Sequence, residues 1–172
     1  GFPAFMKPHL GGGWRNVYKV NNPEELYAAY NETGDLGMVL QEGIDFTEYY
    51  RCYVIGREKV HVMAYDPRLP HEKRYVVDAA PEKSPLYERI VKDALTLCRA
   101  LGYDMNTVEF AVRDGIPYAI DYLNPAPDAD RHSVGEANFE WMLDAMADLA
   151  IATVQSDQPP QAEYHWGRYL AG

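Results

Sequence analysis

The sequence predicts an α+β fold in which antiparallel strands pair through hairpins and helices pack beside them. Asp114-Gly115 joins two apolar segments, and this dipeptide is a strong signal for a two-residue hairpin turn. Gly56–Glu58 joins two further segments that are rich in β-branched and aromatic residues. Ser84-Pro85 opens a long segment with helical apolar spacing. Strands in hairpins with helices between them are typical of mixed antiparallel sheets, not of a parallel sheet.

The first part of the chain predicts three strands and one helix. Asn22 has the chemistry of a helix N-cap and Pro23 suits the first helical position, so we expect a helix from Pro23 to about Tyr30. The apolar segments on either side predict strands at residues 2–8, about 16–20 and 37–44.

The middle of the chain predicts a hairpin followed by a helix. Ser84 caps a helix that runs to Leu101, and Gly102 suits its C-terminal cap. The preceding strands are predicted at residues 48–55 and 59–66, followed by a loop at 67–73 and a brief strand at 74–77.

The last part of the chain predicts a second hairpin and a final helix. The hairpin strands are predicted at residues 107–113 and 116–123, with a loop rich in Pro and Asp from 124 to 135. A helix is expected at 136–154 and a polar tail at 155–172.

The composition excludes several classes of protein. The chain has 172 residues, 47% of them hydrophobic, which suits one folded domain and not a disordered chain. The net charge of −10 argues against sequence-independent binding of nucleic acid, which requires clustered cations. Cys52 and Cys98 provide neither a disulfide framework nor a thiolate zinc site, and they fit a reducing compartment. We find neither a signal peptide nor a membrane-length apolar run, so the expectation is a cytoplasmic protein without a membrane partner.

The first segment whose residues could bind a ligand is a lysine followed by a glycine loop. Lys7 ends a predicted strand, and Gly11, Gly12 and Gly13 follow it. Glycines let backbone N–H groups approach an oxyanion, and a lysine adds a point charge, so the segment suits phosphate. A plain flexible turn is the alternative interpretation.

The second segment is a polar linker between two strands. Gln41, Glu42, Gly43 and Ile44 follow an apolar strand and can offer backbone N–H and C=O groups to an adenine edge. Glu48, just beyond them, can accept hydrogen bonds from ribose hydroxyls. Two ordinary strands with a polar turn are the alternative.

The third segment places oxygen ligands on the second predicted hairpin. Glu109 and Asp121 stand on its two strands, and Asn124 follows directly. Carboxylate and amide oxygens are ligands that suit Mg²⁺. Because both carboxylates stand in otherwise apolar strands, an unpaired charge there would be costly. Two solvent-facing acids are the alternative.

In this order the three segments resemble the ATP-grasp superfamily over roughly residues 2–130. The motifs that carry the resemblance are Phe-Met-Lys-Pro with its glycine loop, Leu-Gln-Glu-Gly-Ile before Tyr-Arg-Cys-Tyr-Val-Ile, and the ending formed by Glu109, Asp121 and Asn124. Within the superfamily, these motifs are most similar to those of amino-acid ligases that extend peptide or protein termini and of D-alanine–D-alanine ligases. The resemblance implies the ATP-grasp fold, with ATP and one or two Mg²⁺ ions as cofactors and Mn²⁺ as a possible substitute.

The resemblance also implies a role for individual residues. Lys7 and the glycine loop would hold the phosphates, residues 41–44 would form the adenine hinge, and Glu48 would bind ribose. Glu109, Asp121 and Asn124 would hold the metal. Arg51 would face the phosphates or an acyl-phosphate, and Arg68, Lys73 and Arg74 are the nearest candidates for the substrate loop.

Two spacings differ from the pattern of the superfamily. Asp121 and Asn124 are three residues apart where two are usual, so either a β-bulge absorbs the extra residue or Asn124 is not a ligand. Glu48 and Arg51 also differ by three, which places them on opposite faces of a strand, and Tyr49 is then the rival to one of them.

By resemblance, the expected function is an ATP-dependent ligase that joins a carboxylate to an amine or thiol through an acyl-phosphate. The alternatives are an ATP-grasp kinase and a non-catalytic nucleotide-binding module. We expect an ATP-grasp domain at residues 1–154, with a glycine-loop subdomain at about 1–45 and a metal-binding subdomain at about 46–154. The expected partners are a small-molecule or peptide carboxylate, an amine acceptor and an upstream domain of the same protein. Without that domain we expect the chain to be inactive.

Overall fold

The computed structural model describes residues 1–76, 81, 83–156 and 167–168 of the chain. Two antiparallel sheets with flanking helices confirm the α+β class. The residues divide into two compact units, one formed by Gly1–Asp45 and the other by the described residues from Phe46 onward.

The first unit is a three-stranded antiparallel sheet with one helix. Its sheet has the order β2-β1-β3, and the elements are β1 (Ala4–Pro8), β2 (Tyr18–Val20), α1 (Pro23–Glu32) and β3 (Met38–Glu42). Asn22 caps α1 by accepting a hydrogen bond from the Glu25 N–H, as the sequence predicts. Ala4 and Met6 of β1 pack on the helix side, and the side chains between them point to the opposite face.

The second unit contains a four-stranded antiparallel sheet of order β5-β4-β6-β7. The strands are β4 (Glu48–Ile55), β5 (Lys59–Ala64), β6 (Met105–Arg113) and β7 (Ile116–Asn124). Asp114 and Gly115 both have positive φ, at 55° and 72°, so they form the predicted two-residue turn between β6 and β7.

One face of this sheet packs against α2 (Pro85–Leu101) and forms the core of the second unit. Ser84 caps the helix through the Tyr87 N–H, and Gly102 ends it in the left-handed conformation at φ 77°. The predicted apolar positions of α2 meet alternate residues of β4, β5 and β6. The buried residues of this cluster are Cys52, Val54, Val62, Ile90, Ala94, Cys98, Val108, Phe110 and Val112.

The opposite face of the sheet is partly covered by α4 (Glu136–Gln155). The His61 ring of β5 stacks on the Trp141 ring of α4, with centroids 4.7 Å apart. This face therefore has a helix at the His61 end, whereas Tyr65 and Tyr75 lie at the Arg51 end.

Several local elements differ from the prediction. The predicted loops at 67–73 and 124–135 contain a single 3-10 turn, His71–Lys73, and a short helix, α3 (Arg131–Val134). The brief strand predicted at 74–77 reduces to one bridge between Tyr65 and Tyr75, and Val77 lies outside the described residues. Most of the predicted polar tail also lies outside them.

Within the described part of the chain, every helix is too short or too polar to cross a membrane.

Candidate functional site

The Arg51 end of the second sheet face brings together three predicted site residues. Arg51 of β4 stands opposite Glu109 of β6, and Glu109 stands opposite Asp121 of β7. Residues opposite each other in antiparallel strands share a face. The sheet therefore places a cation and two carboxylates in a row across three strands.

Two β-bulges in β7 determine which of its side chains join this row. Thr107 pairs with Asn124, Glu109 with Asp121, and Phe110 with Ala119. Each step therefore includes one more residue on β7 than on β6, which is the geometry of a bulge. Because Thr107 and Glu109 alternate onto one face of β6, Asp121 and Asn124 face the same side as Glu109. The bulge required by the three-residue spacing is present.

Asn106 compensates for the backbone pairing that the bulge disrupts. Its side chain is fully buried; Nδ2 donates to the Tyr122 carbonyl at 2.8 Å, and Oδ1 accepts from the Asn124 N–H at 2.9 Å. An unpaired buried peptide group would be costly, so these two hydrogen bonds stabilise the bulged segment. They also fix the backbone that carries Asn124.

Glu109 is held by two different groups. The Tyr49 hydroxyl donates to Oε2 at 2.6 Å, and Arg51 Nε lies 3.6 Å from Oε1. Burial raises the pKa of Tyr49 above its ordinary value, and the neighbouring Glu109 charge raises it further. The phenol therefore remains protonated and acts as a hydrogen-bond donor.

Arg51 lies among aromatic rings and is 8% exposed. Its guanidinium carbon is 5.4 Å from the centre of the Tyr65 ring and 5.7 Å from that of Tyr75. Burial opposes its charge most strongly, but Glu109 and the neighbouring tyrosines together outweigh this effect and raise the pKa of Arg51 above its ordinary value. Arg51 is therefore charged at every physiological pH.

Glu48 lies apart from this row. It is one residue from Tyr49 along β4 and on the other face of the strand, where its carboxylate accepts a hydrogen bond of 2.5 Å from the Tyr50 hydroxyl. The structure thus brings Tyr49, and not Glu48, together with Arg51 and Glu109.

Arg68 lies near the start of β4 in a cavity of about 220 Å³ lined by Phe46, Tyr49 and Tyr65. Its guanidinium donates to both carboxylate oxygens of Asp66, at 2.9 and 2.8 Å, and stands over the Phe46 ring. Neither Lys73 nor Arg74 lines this cavity. Arg68 is thus the predicted loop cation that the structure places beside Tyr49.

In the first unit, Lys7 and Gln41 lie on the sheet face away from α1. Phe5 of β1 pairs with both Gln41 of β3 and Lys19 of β2, and Lys7 follows Phe5 on the same face. Lys19 is therefore a second cation on the face of Lys7, and it is exposed.

The glycine loop and the hinge have distinct backbone geometries. Gly11 and Gly13 have φ of 153° and 65°, in the region that glycine adopts without strain, and Gly11–Gly13 are all exposed. Gly43 donates its N–H to the Pro3 carbonyl at 2.8 Å, and a Cβ there would come within 2.9 Å of that oxygen. Gly43 is thus required by close packing of the backbone, and its own N–H is already bonded. Glu42 is exposed and Ile44 is partly buried.

The donor chemistry of Glu109, Asp121 and Asn124 fits a hard cation. All three offer oxygen, and the register places them on one face. The described residues contain no cluster of three or more His, Cys, Asp or Glu side chains arranged to hold a metal. Any metal site here would therefore combine two carboxylates with the Asn124 amide oxygen.

Asn106 and Lys19 were not among the predicted site residues, and Tyr49 was only the rival to Glu48 and Arg51. The signal for Lys19 was its register opposite Phe5, which requires knowledge of the β1–β2 pairing. Asn106 stands in a strand of otherwise apolar residues, and a buried amide there is a signal for an irregular neighbouring strand.

No family model matches the chain. Pyruvate carboxylase 1 of Caenorhabditis elegans is 28% identical over 127 residues, which cover 65% of this chain and 11% of that protein. The D-alanine–D-alanine ligase of Oceanobacillus iheyensis is 25% identical and covers 92% of this chain. This chain spans 49% of that ligase.

Solved structures show the same fold. The D-alanine–D-alanine ligase from Bacillus anthracis, complexed with ATP, superposes with a TM-score of 0.70 at 20% identity. The alignment covers 92% of this chain and 54% of that one. The chain thus has the architecture of about half of that ligase.

Proposed function

Because this chain has the ATP-grasp fold and its relatives are ATP-grasp enzymes, we propose that it is the nucleotide- and metal-binding part of an ATP-dependent carboxylate–amine ligase. The observation that carries the proposal is the row formed by Arg51, Glu109 and Asp121, with Asn124 brought to the same face by the bulge. A cation beside paired oxygen ligands suits a site for metal-bound phosphates.

Residues of the first unit would contact the nucleotide, whereas Glu48, on the other face of β4 from Arg51 and Glu109, is not assigned a contact with it. Lys7 would contact the phosphates, with Gly11–Gly13 as the loop around them, and the exposed Lys19 adds a second cation to the same face. The backbone of residues 41–44 would meet the adenine edge. Since the Gly43 N–H is bonded to Pro3, its neighbours in the hinge would make the contacts to adenine.

Glu109, Asp121 and Asn124 would hold one or two Mg²⁺ ions. Bound there, Mg²⁺ would neutralise the negative charge of the β- and γ-phosphates during transfer. Tyr49 keeps the Glu109 carboxylate oriented, and Asn106 fixes the backbone that presents Asn124.

The proposed reaction has two steps. A carboxylate oxygen of the substrate attacks the γ-phosphorus of ATP, the bond from that phosphorus to the β-bridging oxygen breaks, and ADP leaves. An amine lone pair then attacks the acyl carbon, the C–O bond to phosphate breaks, and the amine loses a proton. The chain contributes positioning and charge, and neither step requires a covalent protein nucleophile. Arg68 and Arg51 are the proposed cations beside the reacting phosphoryl group.

The proposed substrates are a small-molecule or peptide carboxylate and an amine or thiol acceptor. This chain spans about half the length of the D-alanine–D-alanine ligases that it matches. We therefore propose that an upstream domain of the same protein supplies the rest of the acceptor site.

The test is phosphate release from ATP and Mg²⁺ by the protein that contains this chain, with carboxylates and amines supplied in pairs. We expect release to require both partners of a pair. Release that requires the carboxylate but not the amine would indicate a kinase, and nucleotide binding without release would indicate a non-catalytic module. Asp121→Asn should abolish release, while Asp144→Asn, which removes an exposed charge on α4, should not.

A further inference from the structure

We propose that Arg51 is an internal counter-cation for Glu109, which a divalent metal displaces from the carboxylate when it binds. The inference rests on the proposed function, because it takes Glu109 as a metal ligand. It assigns to Arg51 a role in the metal-free protein that is distinct from contact with phosphate.

Glu109 needs a counter-charge because its side chain is only 16% exposed. A partly buried carboxylate without a compensating charge would be destabilising. Arg51 supplies such a charge, with Nε 3.6 Å from Glu109 Oε1. Tyr49 contributes a hydrogen bond but no charge, since its phenol remains protonated.

The two contacts of Glu109 differ in their compatibility with a metal. A carboxylate oxygen has two lone pairs, so Oε2 can accept from Tyr49 and still offer a second lone pair. Tyr49 can therefore keep its hydrogen bond when a metal binds. The Arg51 charge, 3.6 Å from Oε1, would repel a divalent cation at that oxygen.

The Arg51–Glu109 contact has the geometry of a replaceable pair. Arg68 forms a two-pronged hydrogen-bonded pair with Asp66 at 2.9 and 2.8 Å, whereas Arg51 Nε stays at 3.6 Å. Arg51 Nε is buried without a hydrogen-bond partner among the described residues. The contact is thus electrostatic and lacks the directional hydrogen bonds that strengthen such pairs.

Arg51 also has support that does not depend on Glu109. The faces of Tyr65 and Tyr75 stabilise its guanidinium by cation–π attraction. When a metal takes over the charge of Glu109, the guanidinium can remain between these rings. The exchange then requires only a small change in the Arg51 side chain.

The experiment measures binding of Mn²⁺ alone, without nucleotide, by electron paramagnetic resonance of the free ion. We expect Arg51→Gln to bind Mn²⁺ about tenfold more tightly than the wild type, because one positive charge next to the divalent ion is gone. Arg51→Lys retains the charge and should not gain affinity. Lys59→Gln is the matched control for net charge, since it removes a cation that pairs with Asp148 on the same unit, and its affinity should stay near that of the wild type.

A second measurement uses the wild-type protein and does not depend on the folding of a variant. The Arg51 Nε–H signal in a ¹⁵N-arginine spectrum should shift when Mg²⁺ is added, and the signal of Arg68 should not. Unchanged or weaker Mn²⁺ affinity in a folded Arg51→Gln protein, or a gain in Arg51→Lys as well, would overturn the inference. An Arg51 Nε–H signal that does not shift at a saturating concentration of Mg²⁺ would also overturn it.

The outcome for the proposed metal site is read separately. Asp121→Asn should weaken Mn²⁺ binding at least tenfold. If Asp121→Asn binds Mn²⁺ as the wild type does, the metal site itself is wrong, and the inference about Arg51 fails with it. If Asp121→Asn weakens binding and Arg51→Gln does not strengthen it, only the inference about Arg51 fails.

Discussion

At the scale of single residues, the chemistry of the second unit depends on how polar groups are paired in a mostly apolar sheet. Glu109 accepts a hydrogen bond from Tyr49 and forms an ion pair with Arg51. Both partners come from β4, the neighbouring strand. Asp121 is exposed, although it stands in the same row. The partly buried carboxylate is therefore preoriented, and the exposed one is free to meet a ligand from solvent.

Asp121→Ala should weaken the binding of Mg²⁺–ATP by about 1–3 kcal/mol, because a charge-assisted contact to the ion is lost. Isothermal titration calorimetry of Mg²⁺–ATP measures the effect, with Asp144→Ala as the control for charge. A folded Asp121→Ala protein with the affinity of the wild type would remove Asp121 from the site.

His61 should make stability depend on pH. Burial lowers the pKa of His61 below its ordinary value of 6.5, while a hydrogen bond to Asn138 opposes the shift. The folded state therefore takes up the proton at lower pH than the unfolded state does. Between those two pKa values the unfolded state binds more protons, so stability falls as pH drops below about 6.5 and the contribution is intact above it.

The measurement is urea denaturation of the wild type and of His61→Gln from pH 5 to 7.5. The wild type should lose stability relative to the variant as the pH falls, and His132→Gln, at an exposed position, should follow the wild type. Parallel profiles for the wild type and His61→Gln would contradict the expectation.

At the scale of elements, β7 departs from regular geometry where its neighbours do not. β4 pairs with β5 and β6 without a register shift, whereas β7 shifts twice against β6 around Asp121. Asn106 on β6 bonds the backbone on the far side of the bulge. A residue of one strand thus determines the path of the next.

Asn106→Ala should lower the free energy of unfolding by about 1–3 kcal/mol, because the Tyr122 carbonyl and the Asn124 N–H lose their hydrogen-bond partner at a partly buried position. Urea denaturation measures this change. Asn106→Asp keeps the acceptor for Asn124 but lacks the donor for Tyr122, so it should also destabilise. Asn22→Ala, which removes a helix cap in the first unit, serves as the comparison. This substitution should leave metal binding by the second unit unchanged.

Local signals predicted the elements whose ends carry a side-chain cap or a special backbone angle. The Ser84 cap and Gly102 bound α2 at the predicted residues, and Asp114-Gly115 places the hairpin. Elements without such signals were less predictable: α3 is one turn long and starts from Asp130, whose side chain equally suits a loop. The strand ends shift by one or two residues because tertiary pairing decides them.

At the scale of the whole molecule, this chain spans about half of the ligases that share its fold. The resemblance implies that an upstream domain completes the acceptor site, and exclusion of water protects an acyl-phosphate. We therefore expect this chain by itself to bind Mg²⁺–ATP weakly and to release no phosphate. Turnover by this chain alone, at a rate matching that of a longer protein containing it, would contradict this expectation.

The site was predictable to the extent that it follows strand order, and less so where it depends on register. Glu109 and Asp121 could be placed on paired strands because one hairpin turn links them. The position of Asn124 could not be decided from sequence, because a bulge leaves no strong local signal. The pairing of Arg51 with Glu109 joins residues 58 positions apart, so it depends on a strand pairing that periodicity does not reveal.

The irregular path of β7 also affects whether this edge strand can pair with another copy of the chain. β7 is a terminal strand of its sheet, and Tyr122 and Leu123 are exposed on it. A straight edge with exposed apolar side chains is a template on which another chain can add a strand and start an aggregate. The bulges around Asp121 interrupt that template, and the Asp121 charge stands at its middle. The bend that brings Asp121 and Asn124 to one face thus also interrupts the edge on which another chain could pair.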